Sequence, residues 1–216
     1  MLNFGIQDYW PYSRENAFLD TSIENCLKEL SHRYNVALVA GLIEKGDSGG
    51  LGYSTACLID RGLCHVLSRK SEIDWLVDYQ PYPGIYNKAL PHRGVCIAAL
   101  ICMDASSNPV GPPKCKMEAM KRFCDRAAAI KNQVPKGQRV AFCIPSRMEQ
   151  TDTAGVFIVW SELLSDSVVI LANWTARTNR RSAIQPEGTM IYCACRGGNT
   201  LRIVSWPKAD IRIKKP

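Results

Sequence analysis

The sequence lacks several features that would assign it at once to a distinctive class. No C-x-x-C pair occurs among its ten cysteines, and their spacing is irregular, which favours reduced thiols over a disulfide framework. No basic segment followed by an apolar one opens the chain, and no run of about 18 or more apolar residues appears later. We therefore expect a soluble, cytoplasmic protein without a membrane span.

Histidine is also scarce, and no internal repeat is present. The three histidines, His32, His65 and His92, are isolated from one another in the sequence, so they do not suggest a metal cluster. Cys193 and Cys195 lie two residues apart on a predicted strand and therefore share one side of it, a pattern more typical of packing than of metal ligation. We expect neither a metal nor an organic cofactor.

The formal net charge is +7, with basic residues concentrated in "TARTNRRS" and in the C-terminal tail, residues 207–216. A basic surface can bind nucleic acid, but the tail alternates basic with apolar residues and has no aromatic side chains for base stacking. We interpret both segments as solvated surface. The less favoured alternative, a nucleic-acid-binding protein, predicts binding that weakens steeply with salt.

The composition suits one globular domain. The chain has 216 residues, of which 46% are hydrophobic, enough to bury a sizeable core. We assign residues 1–216 to a single domain, with residues 1–20 as an N-terminal extension or lid. Within that extension, Tyr9, Trp10 and Tyr12 either cover a pocket or fix the N-terminus in place.

Local periodicity predicts alternating helices and strands. A capping box at Thr21 and Glu24 begins a helix over 21–34, with an apolar face at Ile23, Cys26, Leu27, Leu30 and Tyr34. A second helix over 115–132 has Met117, Met120, Phe123, Cys124 and Ala127 on one side. Strands are predicted at 35–44, in a hairpin turning at Asp60-Arg61-Gly62, at 96–101, 139–146 and 167–174, and in a final hairpin over 189–206, whereas 156–164 is ambiguous. This order favours a layered α/β domain.

The strand "CIAALIC" ends abruptly on Cys102, before an acid, small polar residues and a proline. In α/β proteins the carboxyl end of a strand is where functional sites usually lie. A thiolate there could attack a carbonyl or nitrile carbon, provided that a base removes its proton and a cation or backbone N–H groups hold the resulting negative charge. The alternative is that Cys102 is a small buried hydrophobic residue, which is common for free cysteine.

Several motifs in order support the first interpretation. "GLIEKG", "GYSTACLID", the "RK" pair and "LICMD" resemble the nitrilase, or carbon–nitrogen hydrolase, superfamily. In that family "G-x-x-E", a "Y-N-S-A" hairpin, a lysine in "R-K" and the nucleophile in "L-I-C-x-D" follow one another. "VAFCIPSRM", "VVILANW" and "SAIQPEGTMIY" extend the resemblance more weakly, so that it covers about residues 35–205.

The resemblance implies a role for four residues. Cys102 matches the nucleophile, and Lys70 matches the lysine whose ammonium stabilises the tetrahedral oxyanion. Asp104 falls on a supporting acid two places after the nucleophile, and the backbone N–H of Met103 would be an oxyanion donor. Glu44 matches an acid common in its strand in the family, but not the catalytic base.

Two carboxylates of the family pattern have no clear counterpart. The general-base glutamate precedes the first helix in a "P-E" context that is absent here, and we expect the chain to begin after the strand that carries it. A second supporting glutamate is expected between the lysine and the nucleophile, where only Glu72, Asp74 and Asp78 occur. None has the expected setting, and Asp78 is retained as a weak substitute.

The resemblance implies an α-β-β-α sandwich, N-terminally shortened. It also implies an amidase or nitrilase type of hydrolase that acts on a small molecule through a cysteine thioester, without a cofactor. Because general-base assistance contributes about 10²–10⁴-fold in rate, its loss supports an alternative. That alternative is a catalytically inactive member that serves as a binding or oligomerisation module. Members of the superfamily commonly pair through their sandwiches, so a homo-oligomer is also implied.

Overall fold

A computed structural model of the chain describes residues 21–44, 52–72, 80–106, 113–146, 159–160, 163–164, 167–173, 189–195 and 198–204. For residues 21–23, 113–116, 146, 171–173, 189–195 and 198–204 the description is of the backbone alone. The elements, in chain order, are α1 (Thr21–Tyr34), β1 (Leu38–Glu44), β2 (Tyr53–Asp60), β3 (Leu63–Arg69), β4 (Tyr86–Asn87), β5 (Ala89–His92), β6 (Val95–Ala99), a 3₁₀ turn (Cys102–Ala105), α2 (Pro113–Gln133), β7 (Arg139–Ser146), β8 (Ser167–Asn173), β9 (Thr189–Cys195) and β10 (Gly198–Val204).

The first sheet is antiparallel, with strand order β1-β2-β3-β4. Its central hairpin turns through Arg61 and Gly62, whose φ angles of 48° and 80° are both left-handed. Two-residue loops of this kind match the right-handed twist of the flanking strands. The hairpin predicted around Asp60-Arg61-Gly62 is confirmed.

The second sheet has the order β10-β9-β8-β7-β6-β5. Strands β6, β7 and β8 are parallel neighbours, and the outer strands add antiparallel. A parallel pair needs a crossover, and α2 supplies the one between β6 and β7. The carboxyl ends of β6 and β7 therefore lie at the same edge of the sheet, and Cys102 lies at that edge.

Three apolar clusters define the layers. Between the sheets lie Val39, Ala56, Leu58, Leu67, Ile97, Ala99, Ile101 and Cys143. Under α1 lie Leu27, Ala40, Leu42, Cys57 and Ile59. Under α2 the cluster includes Ala98, Leu100, Phe123, Ala127, Ile130, Val140, Phe142 and Trp160. The order is helix, sheet, sheet, helix, and side chains alternate between the two faces of each sheet as strand geometry requires. No described helix combines the length and apolar composition needed to cross a bilayer.

The predicted bounds of α1 are confirmed, but its predicted apolar face is only partly buried. Leu27 is fully buried, whereas Cys26 and Tyr34 are exposed, Tyr34 by 63%. The side chains at Thr21 and Ile23 lie outside the described residues. A single sheet lies beneath α1, and it covers a narrower strip of the helix than the predicted face.

The predicted face of α2 is wrong by part of a turn. Met117 and Met120 are 71% and 38% exposed, and Cys124 is exposed as well. The buried side chains are Phe123, Arg126, Ala127 and Ile130. The prediction counted only apolar residues as buried and therefore left out Arg126. As a result, the predicted face is rotated about the helix axis relative to the buried one.

Two short strands, β4 and β5, were not predicted. They occupy "YNKALPH", where Pro91 interrupts the expected pattern. Because β5 is the edge strand of its sheet, a missing N–H is tolerated there. Within the ambiguous segment 156–164, Val159 and Trp160 are helical.

Candidate active site

Cys102 lies at a sharp bend that follows β6. Its φ angle is +47°, in the left-handed region, which costs a non-glycine residue about 1–2 kcal/mol. A 3₁₀ turn holds the bend, since the N–H of Asp104 donates to the carbonyl of Ile101 (3.0 Å) and the N–H of Ser106 to that of Met103 (3.1 Å). Strain of this kind persists where surrounding structure enforces it, often at functional sites.

The core beneath the bend is closely packed. The indole N–H of Trp160 donates to the carbonyl of Ala105 at 2.8 Å, and Trp160 is fully buried. Its ring stacks on Phe142 (4.3 Å between centroids) and meets Phe123 edge-on (5.3 Å). Cys102 is half-buried and packs against both neighbouring apolar clusters. The thiol therefore belongs to a well-supported elbow.

A β-bulge in β3 sets the direction of the residues after it. Cys57 of β2 lies opposite Val66, but the next residue, Ala56, lies opposite Ser68, which leaves Leu67 as an extra residue. Directly opposite residues share a face of the sheet. The extra residue therefore reverses the inward and outward alternation of β3 beyond this point.

Because of the bulge, Arg69 faces away from the second sheet and Lys70 faces towards it. Arg69 lies opposite Thr55, on the face away from the second sheet. Lys70 continues the pairing, because its N–H donates to the carbonyl of Ser54 at 2.8 Å. It is only 4% exposed. Uninterrupted alternation would have directed the arginine inward instead of the lysine.

Glu44 is bound to Arg69 on the outer face. The guanidinium makes two hydrogen bonds to the carboxylate, at 2.5 and 2.6 Å, and the Thr55 hydroxyl adds one at 3.1 Å. Arg69 also lies over the rings of Tyr82 and Tyr86, at 5.1 and 4.3 Å. The hydrogen bonds from Arg69 lower the pKa of Glu44, which makes it a poor proton acceptor at neutral pH.

Replacing Glu44 by glutamine should lower the free energy of unfolding by about 1–2 kcal/mol at pH 7. Because the folded-state pKa lies below the ordinary value of 4.5, the stabilisation is present above that pH and disappears as the pH falls through the folded-state value. Urea unfolding at pH 7 and pH 3 measures it. The control is Glu24→Gln, which breaks a surface pair with Lys28 and should cost a few tenths of a kcal/mol. Equal losses for the two variants would contradict this assignment.

Asp104 joins the elbow to the segment that carries Lys70. It is fully buried, and its carboxylate accepts the backbone N–H groups of Ser71 (3.0 Å) and Glu72 (2.8 Å). Burial raises the pKa of Asp104, and the Arg126 guanidinium 3.7 Å away, the two N–H groups and the Lys70 ammonium oppose that rise. The Lys70 ammonium thus favours the ionised form of a carboxylate of the elbow.

Glu72 fastens the same segment to α2. Arg122 donates to both of its carboxylate oxygens, at 2.6 and 3.0 Å, and Arg126 donates to one at 2.8 Å. Arg126 also donates to the hydroxyl of Ser71. Burial alone would raise the pKa of Glu72, but the hydrogen bonds from both arginines outweigh it and hold the pKa below its ordinary value. Glu72 is therefore ionised and paired at neutral pH.

The two arginines were missed in the sequence. Arg126 is only 1% exposed, an uncommon state for an arginine, which is almost never fully buried unless paired. The available signal was the spacing of Arg122 and Arg126, four residues apart and next to the apolar Phe123 and Ala127. That spacing places both arginines on one side of a helix, but their partner, Glu72, is 50 residues away from the first.

The structure brings together most of the predicted site residues. Cys102, Met103 and Asp104 form the elbow, and Lys70 directly precedes the two residues whose N–H groups bind Asp104. Asp78 lies outside the described residues, as do the extension 1–20, the arginine cluster of "TARTNRRS" and the tail 207–216. Among the described side chains, no group of three or more His, Cys, Asp or Glu could hold a metal ion.

Two facing sheets with one helix on each outer side form an α-β-β-α sandwich, and the Cys102 elbow follows one of its central strands. No protein-family model matches the sequence, and no curated protein matches it. Solved structures of this fold do match, and they confirm the predicted fold class.

The chain is similar to the carbon–nitrogen hydrolase from Helicobacter pylori G27, at 13% identity and a TM-score of 0.58, over 87% of this chain and 65% of that one. A variant of the amidase from Nesterenkonia sp. AN1, with acrylamide added at its active-site cysteine, is 15% identical, at a TM-score of 0.61 over 94% and 75%. Nit3 from Saccharomyces cerevisiae, in branch 10 of the superfamily, is 15% identical, at a TM-score of 0.55 over 80% and 58%. The chain thus spans about two thirds of the length of these proteins.

Proposed function

We propose that this chain is a carbon–nitrogen hydrolase that cleaves a small amide through a thioester at Cys102. The observation that carries the proposal is the elbow itself. A cysteine held at positive φ after a central strand is tied, through the buried Asp104, to the segment of a buried lysine, Lys70. Unrelated packing of a thiol would require neither the strained backbone nor the tether.

In the proposed reaction the Cys102 thiolate attacks the carbonyl carbon of the amide and forms a C–S bond. The carbonyl oxygen becomes an oxyanion, stabilised by the Lys70 ammonium and the Met103 N–H. The C–N bond then breaks, and the amine leaves with a proton to give the thioester. Water attacks the thioester, which releases the acid and restores the thiol. A nitrile would be attacked at its own carbon to give a thioimidate, one water would add and ammonia would leave to give the same thioester, and a second water would release the acid.

None of the three described carboxylates near Cys102 and Lys70 is assigned as the general base of this reaction. Glu44 and Glu72 are hydrogen-bonded by arginines, and Asp104 accepts two backbone N–H groups. These contacts favour a second candidate function, a non-catalytic module that keeps the scaffold for binding or for self-association. The two candidates differ in the reactivity that they predict for the Cys102 thiol.

Brief treatment with substoichiometric iodoacetamide, followed by mass spectrometric quantification of every cysteine, distinguishes them. Exposure alone predicts that Cys26 and Cys124 react first, because both are exposed and Cys102 is half-buried. An activated nucleophile reverses that order. Cys143 is the internal negative control, since burial raises the pKa of its thiol to about 12. If Cys102 lags behind Cys124 across pH 5–9, the hydrolase proposal fails and the binding module is retained.

A further inference from the structure

The two residues after Lys70 are held by an unusually complete set of polar contacts. Their backbone N–H groups bind the Asp104 carboxylate, and the carbonyl of Lys70 accepts the N–H of Tyr82 at 2.9 Å. The Ser71 hydroxyl and the Glu72 carboxylate are both bound by arginine. The segment is thus fixed through its backbone and its side chains together.

Arg126 is the centre of this arrangement. Its fully buried guanidinium reaches the Ser71 hydroxyl, the Glu72 carboxylate and the Asp104 carboxylate. One acceptor belongs to the elbow and two belong to the segment after Lys70, while the arginine itself projects from α2. A single cation therefore links three elements, at a desolvation cost that a hydrophobic side chain would avoid.

We propose that Glu72 and Arg126 are positioning residues that hold Lys70 in register with Cys102, an inference that rests on the proposed function of those two residues. An oxyanion site works only when its donors are placed to within about half an ångström, and a displacement of about 1 Å can cost on the order of 10²-fold in rate. Lys70 directly follows β3, so the strand pairing fixes the backbone before it. The backbone after it is bound to Asp104 and Tyr82, and Glu72 and Arg126 add the side-chain contacts that attach it to α2.

The test is Glu72→Gln, which keeps the side-chain size and removes the charge that both arginines bind. We expect about 10-fold to 100-fold slower acylation of Cys102 by a small amide, the step in which Lys70 stabilises the oxyanion, and at least about 10-fold faster hydrogen exchange at the amides of residues 71 and 72. The matched control is Glu29→Gln, an exposed glutamate on α1, which should change neither rate.

A double-variant cycle separates positioning from general loosening. If Glu72 acts through Lys70, adding Glu72→Gln to a Lys70→Met protein should not slow acylation of Cys102 further. An equal slowing with and without Lys70 would overturn the proposal, as would unchanged exchange at residues 71 and 72. The exchange measurement does not depend on the thiol. If Cys102 of the unmodified protein reacts no faster than the other cysteines, the hydrolase proposal fails, and the positioning of a catalytic lysine fails with it. Fast exchange in Glu72→Gln would then still show that Glu72 holds the backbone of residues 71 and 72.

Discussion

Replacing Arg126 by methionine should lower the free energy of unfolding by about 3–5 kcal/mol at pH 7, the cost of leaving a buried charge without its partner. The charge left behind is the Asp104 carboxylate, which is fully buried. Its two backbone N–H donors remain, but the cation 3.7 Å away is lost. Methionine fills a similar volume, so the loss reports mainly on electrostatics.

The loss should depend on pH in a defined direction. Burial already raises the pKa of Asp104 in the folded protein, and removing Arg126 raises it further. A raised carboxyl pKa destabilises the fold at high pH and ceases to do so once the carboxyl is protonated. Urea unfolding should therefore show the largest loss at pH 7 and above, and a smaller one as the pH falls.

Arg122→Met is the matched control, because Arg122 binds the same Glu72 but is 41% exposed in its side chain. It should cost no more than about 1 kcal/mol. Asp104→Asn combined with Arg126→Met should recover part of the loss, since an amide needs no counter-charge. A similar loss for the two arginine variants, independent of pH, would show that Arg126 acts through packing and not through charge.

Replacing Cys102 by alanine should reduce amide hydrolysis by on the order of 10³-fold or more, because every step of the proposed reaction passes through its sulfur. The fold should survive, since the side chain is small and half-buried, and alanine bears the same left-handed strain as cysteine. Ammonia release from a panel of small amides measures the rate. Intact mass after rapid quenching should show an acyl adduct on the unmodified protein and none on the variant.

Cys124→Ala is the control for this experiment, because Cys124 is an exposed thiol on α2 away from the elbow. It should leave both the rate and the adduct unchanged. Hydrolysis that persists at the original rate in Cys102→Ala would falsify the thioester mechanism. Absence of hydrolysis in the unmodified protein as well as in Cys102→Ala would instead support the non-catalytic module.

Much of the architecture could be read from local pattern. The bounds of α1, the strand Arg139–Ser146 and the two hairpins agree with the sequence prediction, because each depends on residues close together in the chain. The candidate site at Cys102 was predicted in the same way, from an apolar strand that ends on a thiol before an acid, whereas its strained backbone was not predicted. The buried faces of the helices were predicted less accurately than their bounds, since α2 buries Arg126 where an apolar residue was expected.

By itself, then, the sequence determined the order of the elements apart from β4 and β5, the layered α/β class and, through the family resemblance, the candidate pair Cys102 and Lys70. Only the tertiary structure decided that Lys70, and not Arg69, is buried towards the second sheet, because that choice depends on one extra residue in the pairing of β2 with β3. It also decided which carboxylates are bound by arginines. Such partners are 25 to 54 positions apart in the chain, and no local periodicity encodes them.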